Sequence, residues 1–255
     1  TVVEARAQIE NILMHRDRRQ MIIVGPCSVH DVESALVYAE RLKALSDEVE
    51  ERMLLIMRVY FEKPRTTLGW KGLIYDPALD DSCDIDTGLR LAREVLLRVA
   101  ALGLPAATEI LEPVIPQYIT DLISWGAIGA RTTESQTHRQ LASGLSMPVG
   151  FKNATDGNLR VAVEAISTAA SAHTFIGITG DGKAAIFQTR GNAFGHLVLR
   201  GGTSGPNYGS EHVAYANELM RKVGLIPTVL VDCSHANSGK RPEKQRVVVE
   251  DVMAQ

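Results

Sequence analysis

The sequence lacks the long apolar run that a membrane-crossing helix needs, since no stretch approaches about 20 consecutive apolar residues. It also lacks a charge excess, because its formal net charge is -3. A general basic surface for nucleic acid or anionic membrane is therefore excluded, and any anion binding has to be local. The first residues, TVVEARAQIENILMHRDRR, are charged and have helical periodicity, which does not fit a signal peptide. We expect neither nucleic acid nor membrane as a partner.

Cysteine is scarce as well. Cys27, Cys83 and Cys233 cannot all pair with one another, so the chain has no disulfide framework and fits the cytoplasm. What is present is an ordinary globular composition, 45% hydrophobic and 22% charged, over 255 residues. An α/β barrel reaches this size as one domain, and we expect a single domain over residues 1–255.

Strand-like apolar runs alternate with helix-like periodicity along the chain. Strands are expected at 21–27, 54–61, 106–111, 127–132, 149–152, 197–201 and 228–234. Helices are expected at 2–15, 32–45, 89–102, from Pro116, and at 135–144, 158–171, 215–223 and 242–254. In the helix at 32–45, Leu36, Ala39, Leu42 and Leu45 are expected on one face. The pattern breaks once, where TFIGIT and AAIFQT flank GDGK and predict a β-hairpin near 174–189.

Seven strand-then-helix units with near-continuous apolar strands indicate a parallel sheet covered by helices. The count leaves two architectures open. One is an open α/β sheet, and the other is a (β/α)8 TIM-type barrel whose last unit is missing from this chain.

Ionisable or metal-binding side chains follow the carboxyl end of every expected strand. They are Cys27, Arg58 with Lys63, Glu109, Arg131, Lys152, Arg200, and Asp232 to His235. In barrels this edge is where catalytic residues collect. Five of these side chains are cations that repel one another, so we expect them to bind an anion carrying a phosphate and a carboxylate, or two phosphates. Gly150, Gly201 and Gly202 would let backbone N–H groups reach the same oxygens.

Three of these features also have a second interpretation. Leu54 to Thr67 fits a strand that ends in an anion site, but it also fits a strand followed by a solvated basic loop. Cys27 and His235 are good metal ligands, yet two ligands are not a full site, and a packed Cys with a core His is the commoner arrangement. Lys152 fits either an electrostatic role or a Schiff-base lysine.

Several motifs together resemble one family, the type I 3-deoxy-D-arabino-heptulosonate 7-phosphate (DAHP) synthases. They are GPCSVHD, MRVYFEKPRTT with GWKG, GARTTESQTHRQLASGLS, PVGFKN, LRGG and DCSHANS, and the likeness runs from about Ile12 to Met253. The resemblance implies a (β/α)8 barrel that condenses phosphoenolpyruvate with erythrose 4-phosphate and releases phosphate. This reaction is the entry step of the shikimate pathway to aromatic amino acids.

The resemblance also implies roles for particular residues. Phosphoenolpyruvate would be bound by Arg58, Lys63, Glu109, Ala130, Arg131, Lys152 and Arg200. Erythrose 4-phosphate would be bound by Lys63, Pro64, Arg65 and Thr66. Cys27 and His235 match two of four ligands to a divalent metal of the Mn, Fe, Co or Zn type, which polarises the aldehyde carbonyl. Lys63, Lys152 and His235 would be the catalytic residues, and Lys152 an anion-binding lysine.

Two further expectations come from the resemblance. The family's other two metal ligands lie beyond Gln255, so the chain is expected to be a fragment, truncated at both ends and inactive or nearly so on its own. An aromatic amino acid effector would bind at Gln117, Ser146, Phe175 and Gly177, and Gly177 favours tyrosine because it leaves room for a phenol hydroxyl. The full-length form is expected to be a homo-oligomer, a dimer or a tetramer.

Two alternatives remain beside this hypothesis. The first is the related octulosonate-phosphate synthase, which uses arabinose 5-phosphate, although KPRTT argues against it. The second is a non-catalytic relative that keeps only the phosphate-binding residues.

Overall fold

The computed structural model describes residues 1–65 and 67–255. The strands are β1 (Gln20–Val24), β2 (Met53–Arg58), β3 (Ala106–Glu109), β4 (Trp125–Ile128), β5 (Val149–Lys152), β6 (Thr174–Ile178), β7 (Ala184–Gln188), β8 (Gly195–Leu199) and β9 (Val229–Val231). The helices are α1 (Val2–Leu13), α2 (Val32–Val49), α3 (Ile85–Ala101), α4 (Pro116–Ile119), α5 (Gln136–Gly144), α6 (Arg160–Ala169), α7 (Ser210–Lys222) and α8 (Pro242–Ala254). A short 3-10 helix, Thr120–Leu122, follows α4.

The described strands form a seven-stranded sheet in the order β1-β2-β3-β4-β5-β8-β9 and a separate two-stranded sheet of β6 and β7. Pairing is parallel between β1 and β2, with Gln20 opposite Met53, and between β2 and β3. It is also parallel between β5 and β8, with Val149 opposite Gly195, and between β8 and β9. The prediction of seven strand-helix units with one inserted hairpin is confirmed.

The chain divides into two compact units. Unit 1 comprises Thr1–Gly126 and Gly177–Ala185, and unit 2 comprises Ala127–Ile176 and Ile186–Gln255. The core of unit 1 includes the fully buried side chains Ile56, Met57 and Phe61 of β2 and the chain after it. Unit 2 buries Phe151 from β5 and Leu197 from β8. A single domain over residues 1–255 stays a prediction.

Helix ends are fixed by local side chains, as their residue types predict. Thr1 and Glu4 form a capping box at the start of α1, and the Asp31 carboxylate accepts the Ser34 N–H at the start of α2. Gly103 follows the end of α3 in the left-handed region at φ 83°, which glycine adopts without steric cost.

Two expectations about particular elements are wrong. Leu45 is 48% exposed, because nine residues at 100° each put it on the opposite side of α2 from Leu36. The first strand ends at Val24 rather than Cys27. The Gly25-Pro26 dipeptide that follows is a strand breaker, because proline has no N–H to donate to a neighbouring strand. Gly25 also lies so close to Arg58 that an added Cβ would stand 2.4 Å from the Arg58 carbonyl oxygen.

Candidate active site

Unit 1 contains a basic loop, residues 62–72, which follows β2. Its two ends are joined, since the Lys63 N–H donates to the Lys71 carbonyl at 2.9 Å. The Arg65 guanidinium Nε donates to the Trp70 carbonyl at 2.8 Å and holds the tip of the loop. Gly72 makes the return possible, because it has φ 114° and an added Cβ would lie 2.1 Å from the Phe61 carbonyl oxygen.

Two cations, Arg58 and Lys63, contact the segment that follows β1. Arg58, the last residue of β2, donates to the Pro26 carbonyl at 3.1 Å, and its guanidinium lies 3.8 Å from the centre of the Tyr60 ring. Lys63 Nζ lies 2.9 Å from Cys27 Sγ and donates to the Cys27 carbonyl at 3.2 Å. The hydrogen bond from Lys63 lowers the pKa of the Cys27 thiol, and burial only partly opposes it. This shift favours the thiolate, which is the form in which a cysteine binds a metal ion.

A pocket of about 200 Å³ opens beside the loop, and its walls carry charges of both signs. It is lined by Glu62, Lys63, Arg65, Lys71, Tyr75, Leu111 and Glu112. Lys63 and Arg65, two predicted ligands of erythrose 4-phosphate, thus share one pocket. Pro64 lies between them and is half-buried. Thr66, the remaining predicted ligand, lies outside the described residues.

In unit 2, hydrogen bonds connect three polar side chains in series. Lys152, the last residue of β5, donates to Asp232 Oδ2 at 3.0 Å, and the same oxygen lies 2.9 Å from His235 Nδ1. Burial works to raise the pKa of Asp232, but the Lys152 ammonium and the hydrogen bond with His235 hold it well below its usual range. An ionised Asp232 orients the His235 ring and directs its Nε2 away from the carboxylate, as in many metal-binding histidines.

The guanidinium of Arg200 in unit 2 has a lowered pKa. Burial lowers the pKa of Arg200, and the neighbouring Arg131 lowers it further, whereas Asp232 acts in the opposite direction. Arg131 is exposed and lies three residues beyond the end of β4, next to the half-buried Ala130. Arg131 therefore follows the carboxyl end of β4, although this strand ends at Ile128 rather than at Thr132 as expected.

Buried asparagines fix the backbone around Arg200 and His235. Asn153 accepts the Arg200 N–H at 2.8 Å and donates to Gly201. Asn207 accepts the Gly201 N–H at 2.7 Å, and its own N–H donates to Asn237 at 2.8 Å. We call Asn153, Asn207 and Asn237 the asparagine network.

The glycine expectation at this edge is corrected by these contacts. The Gly201 N–H is bonded to Asn207 and the Gly202 N–H to the Gly205 carbonyl. Small residues are needed instead because the backbones approach closely: a Cβ on Gly202 would lie 2.3 Å from the Gly157 nitrogen.

Sequence reasoning missed other contributors. Thr133 donates to the Lys152 carbonyl and fixes the strand end that carries this lysine. The partners of Asp232 were also missed, since Lys152 and Asp232 are 80 positions apart. The only signal in the sequence was that Asn153 and Asn237 occur within the motifs PVGFKN and DCSHANS.

The remaining predicted residues are distributed between the units. Glu109 is the half-buried last residue of β3, and Gln117 is exposed in α4. Ser146 is exposed after α5. Phe175 and Gly177 lie on the same face of β6, and the Phe175 ring stacks on Phe187 at 6.0 Å between centroids.

Two features are absent from the described residues. Residues 1–65 and 67–255 contain no group of three or more His, Cys, Asp or Glu side chains arranged to hold a metal ion. The donor chemistry of Cys27 and of His235 nevertheless suits a borderline divalent ion, because Lys63 lowers the pKa of the thiol and a carboxylate orients the imidazole. Within the same part of the chain, no helix has the length and apolar character of a membrane span.

Comparison with known proteins agrees with this description. The sequence profile described as the DAHP synthetase I family matches residues 2–255. The Tyr-sensitive phospho-2-dehydro-3-deoxyheptonate aldolase of Escherichia coli (strain K12) is 55% identical over 254 residues, which cover 100% of this chain and 71% of the relative. The Phe-sensitive aldolase of the same organism is 54% identical over 255 residues and is covered to 73%. The structure of the aldolase from Francisella tularensis SCHU S4 has a TM-score of 0.98 at 51% identity, with 100% of this chain and 74% of that chain covered.

The fold and the basic strand ends are those of a TIM-type α/β enzyme that handles anionic substrates. The chain belongs to the DAHP synthetase I family. The fold expected from the resemblance is thereby confirmed over the seven strand-helix units.

Proposed function

We propose that this chain serves the condensation of phosphoenolpyruvate with erythrose 4-phosphate. A carbon–carbon bond forms between C3 of phosphoenolpyruvate and the aldehyde carbon. Water adds at C2, and inorganic phosphate leaves, so the products are DAHP and phosphate. The observation that carries the proposal is the pocket of the basic loop, where Lys63, Arg65 and Lys71 line one space of the size of a sugar phosphate. The relatives' names supply the reaction.

The cations divide between substrate groups. In unit 1, Lys63, Pro64, Arg65 and Thr66 bind the phosphate of erythrose 4-phosphate, since an arginine fork and a lysine point charge suit phosphate oxygens. Arg58, Lys63 and Glu109 of the same unit contact phosphoenolpyruvate. In unit 2, Ala130, Arg131, Lys152 and Arg200 bind phosphoenolpyruvate and stabilise the negative charge that develops during the reaction.

Lys152 acts as a cation in this proposal. Its ammonium donates to Asp232, which keeps the side chain extended and oriented at the end of β5. A lysine that forms a Schiff base has to lose its proton, whereas the ionised Asp232 favours the protonated amine. The electrostatic role therefore fits Lys152 better than the Schiff-base role.

We further propose Cys27 and His235 as ligands of a divalent ion of the Mn, Fe, Co or Zn type. When bound, the ion polarises the aldehyde carbonyl as a Lewis acid. The hydrogen bond from Lys63 favours the ligating form of Cys27, and Asp232 keeps Nδ1 of His235 occupied. The free thiols Cys27, Cys83 and Cys233 fit a reducing compartment such as the cytoplasm.

Tyrosine is the proposed effector. Phe175 offers an aromatic face on β6, and Gly177, two residues on along the same face, leaves room for a phenol hydroxyl. Titration of the chain with tyrosine, phenylalanine and tryptophan in a calorimeter is expected to give heat with tyrosine. Binding of phenylalanine alone would contradict this assignment.

The function is tested by binding, which does not depend on turnover. Calorimetry should detect phosphoenolpyruvate and erythrose 4-phosphate, and arabinose 5-phosphate should bind at least about tenfold more weakly than erythrose 4-phosphate, a difference of about 1.4 kcal/mol. Lys152→Met should weaken phosphoenolpyruvate binding by about 10- to 100-fold, as loss of a charged hydrogen bond predicts. Lys222→Met, which removes an exposed lysine of α7, is the control. Preference for arabinose 5-phosphate would instead favour the octulosonate-phosphate synthase.

A further inference from the structure

Glu62 is a buried carboxyl at the start of the basic loop, and the proposed reaction gives it no role. It is 5% exposed and directly precedes Lys63. The Tyr75 hydroxyl donates to Glu62 Oε1 at 3.4 Å, and the backbone N–H of Glu112 also donates to the carboxyl group. Glu62 therefore joins the basic loop to the chain that follows β3.

The surroundings of Glu62 make its charge important for anion binding. Its pocket also contains three cations, Lys63, Arg65 and Lys71. An ionised Glu62 would attract these cations and repel an incoming phosphate, whereas a neutral carboxyl leaves the cations to the ligand. The other groups that face it are Glu112, Glu109 and Tyr75.

The protonated form is the one that the fold favours. Burial raises the pKa of the Glu62 carboxyl to about 8, with the charges of Glu112 and Glu109 acting in the same direction. The hydrogen bond from the Glu112 backbone only partly opposes this rise. Near neutral pH, Glu62 thus carries a proton and leaves the pocket with one negative charge fewer.

We propose that Glu62 positions the basic loop through Tyr75 and the Glu112 backbone, and that its uncharged form leaves the cations of the loop free to bind phosphate. This inference rests on the proposed function, because it assigns the loop to the phosphate of erythrose 4-phosphate. The loop becomes less able to bind phosphate as Glu62 ionises.

Calorimetric titration with erythrose 4-phosphate from pH 6.5 to 9 tests the inference. The affinity of the unmodified chain should fall by about tenfold between pH 7 and 9, because only the protonated fraction binds. Glu62→Gln, which keeps the shape without the ionisation, should bind well at pH 7 and change by less than about twofold over the same range. Glu62→Ala should bind weakly throughout, because the contacts with Tyr75 and Glu112 are lost.

Two matched carboxyl variants separate this effect from general ones. Glu112→Gln removes a neighbouring charge, so the pH at which affinity falls should move to a lower value. Glu51→Gln removes an exposed carboxyl elsewhere in unit 1 and should change nothing. A fall in affinity that is the same in Glu62→Gln and in the unmodified chain would overturn the inference.

A ligand-free measurement keeps the inference distinct from the proposed function. Trp70 belongs to the loop, its carbonyl accepts from Arg65, and its indole donates to the Asp76 carbonyl at 2.8 Å. In a Trp125→Phe background its fluorescence reports the loop alone, since the chain has 2 tryptophans. A fluorescence transition near pH 8 that Glu62→Gln abolishes supports the inference, whether or not erythrose 4-phosphate binds. Failure of erythrose 4-phosphate to bind would refute only the proposed function. Absence of any transition in the Trp125→Phe protein would overturn the inference.

Discussion

His196 should make the stability of the protein depend on pH in the mildly acidic range. The residue belongs to β8 and is 1% exposed, and its Nδ1 lies 3.1 Å from the Phe194 carbonyl. Burial lowers the pKa of this imidazole from 6.5 to about 4. The folded protein therefore keeps His196 neutral at pH values where the unfolded chain binds a proton.

The sign and size of the effect follow from this difference. Between pH 6.5 and 4 the unfolded state holds one more proton than the folded state, so the free energy of unfolding falls as the pH falls. At 1.36 kcal/mol for each pKa unit, a difference of about 2.5 corresponds to a total loss of about 3 kcal/mol. About 2 kcal/mol of this loss is expected between pH 7.5 and 5.

Urea unfolding of the chain and of His196→Gln at these two pH values measures the effect. Relative to the unmodified chain, His196→Gln should gain about 2 kcal/mol of unfolding free energy when the pH falls from 7.5 to 5. Groups common to both proteins cancel in this comparison, and His30→Gln, at an exposed position, is the control. A pH-independent difference between the chain and His196→Gln would refute the reasoning.

Further predictions concern the basic loop and the two proposed metal ligands. Gly72→Ala should cost about 2 kcal/mol or more of unfolding free energy in urea, because alanine at φ 114° is strained and meets a carbonyl oxygen; an unchanged midpoint would contradict the geometry. Asp232→Asn should weaken Mn²⁺ binding by about tenfold or more in calorimetry, since the carboxylate orients its histidine, and equal affinity would refute that role. With metal removed, iodoacetamide at pH 7.5 should label Cys27 before Cys233, because burial raises the pKa of the Cys233 thiol to about 11. Lys63→Met should slow the labelling of Cys27, as followed by mass spectrometry, and an unchanged rate would remove Lys63 as the cause.

Periodicity in the sequence was sufficient to predict the elements and the ends of only some of them. The alternation of apolar runs gave β5 and α8 with their observed bounds, and Pro242 stands in the first turn of α8, where proline is favoured. In contrast, the expectation for MIIVGPC extended through Gly25-Pro26, although this dipeptide is a local sign that the strand stops at Val24. The close approach of Gly25 to Arg58, which lies 33 positions further along the chain, could not be predicted from the sequence.

The site was predictable to the extent that residue type reveals chemistry. Cations and a Cys–His pair at strand ends indicate anion and metal chemistry by their side-chain types alone. Glu62 was overlooked although it stands within FEKPRTT, because its importance comes from burial beside Glu112, and burial is a tertiary property. The asparagine network was missed for a similar reason, since its partners are up to 54 positions apart.

The asparagine network also determines how the protein should respond to salt. Hydrogen bonds between uncharged amides are hardly screened, whereas the attraction between exposed cations and a free phosphate weakens as the Debye length shortens to about 3 Å at 1 M salt. The backbone that carries Arg200 and the turn before His235 should thus keep their arrangement at ionic strengths that already release the substrate. High salt then offers a way to empty the site reversibly while the polypeptide around it stays folded.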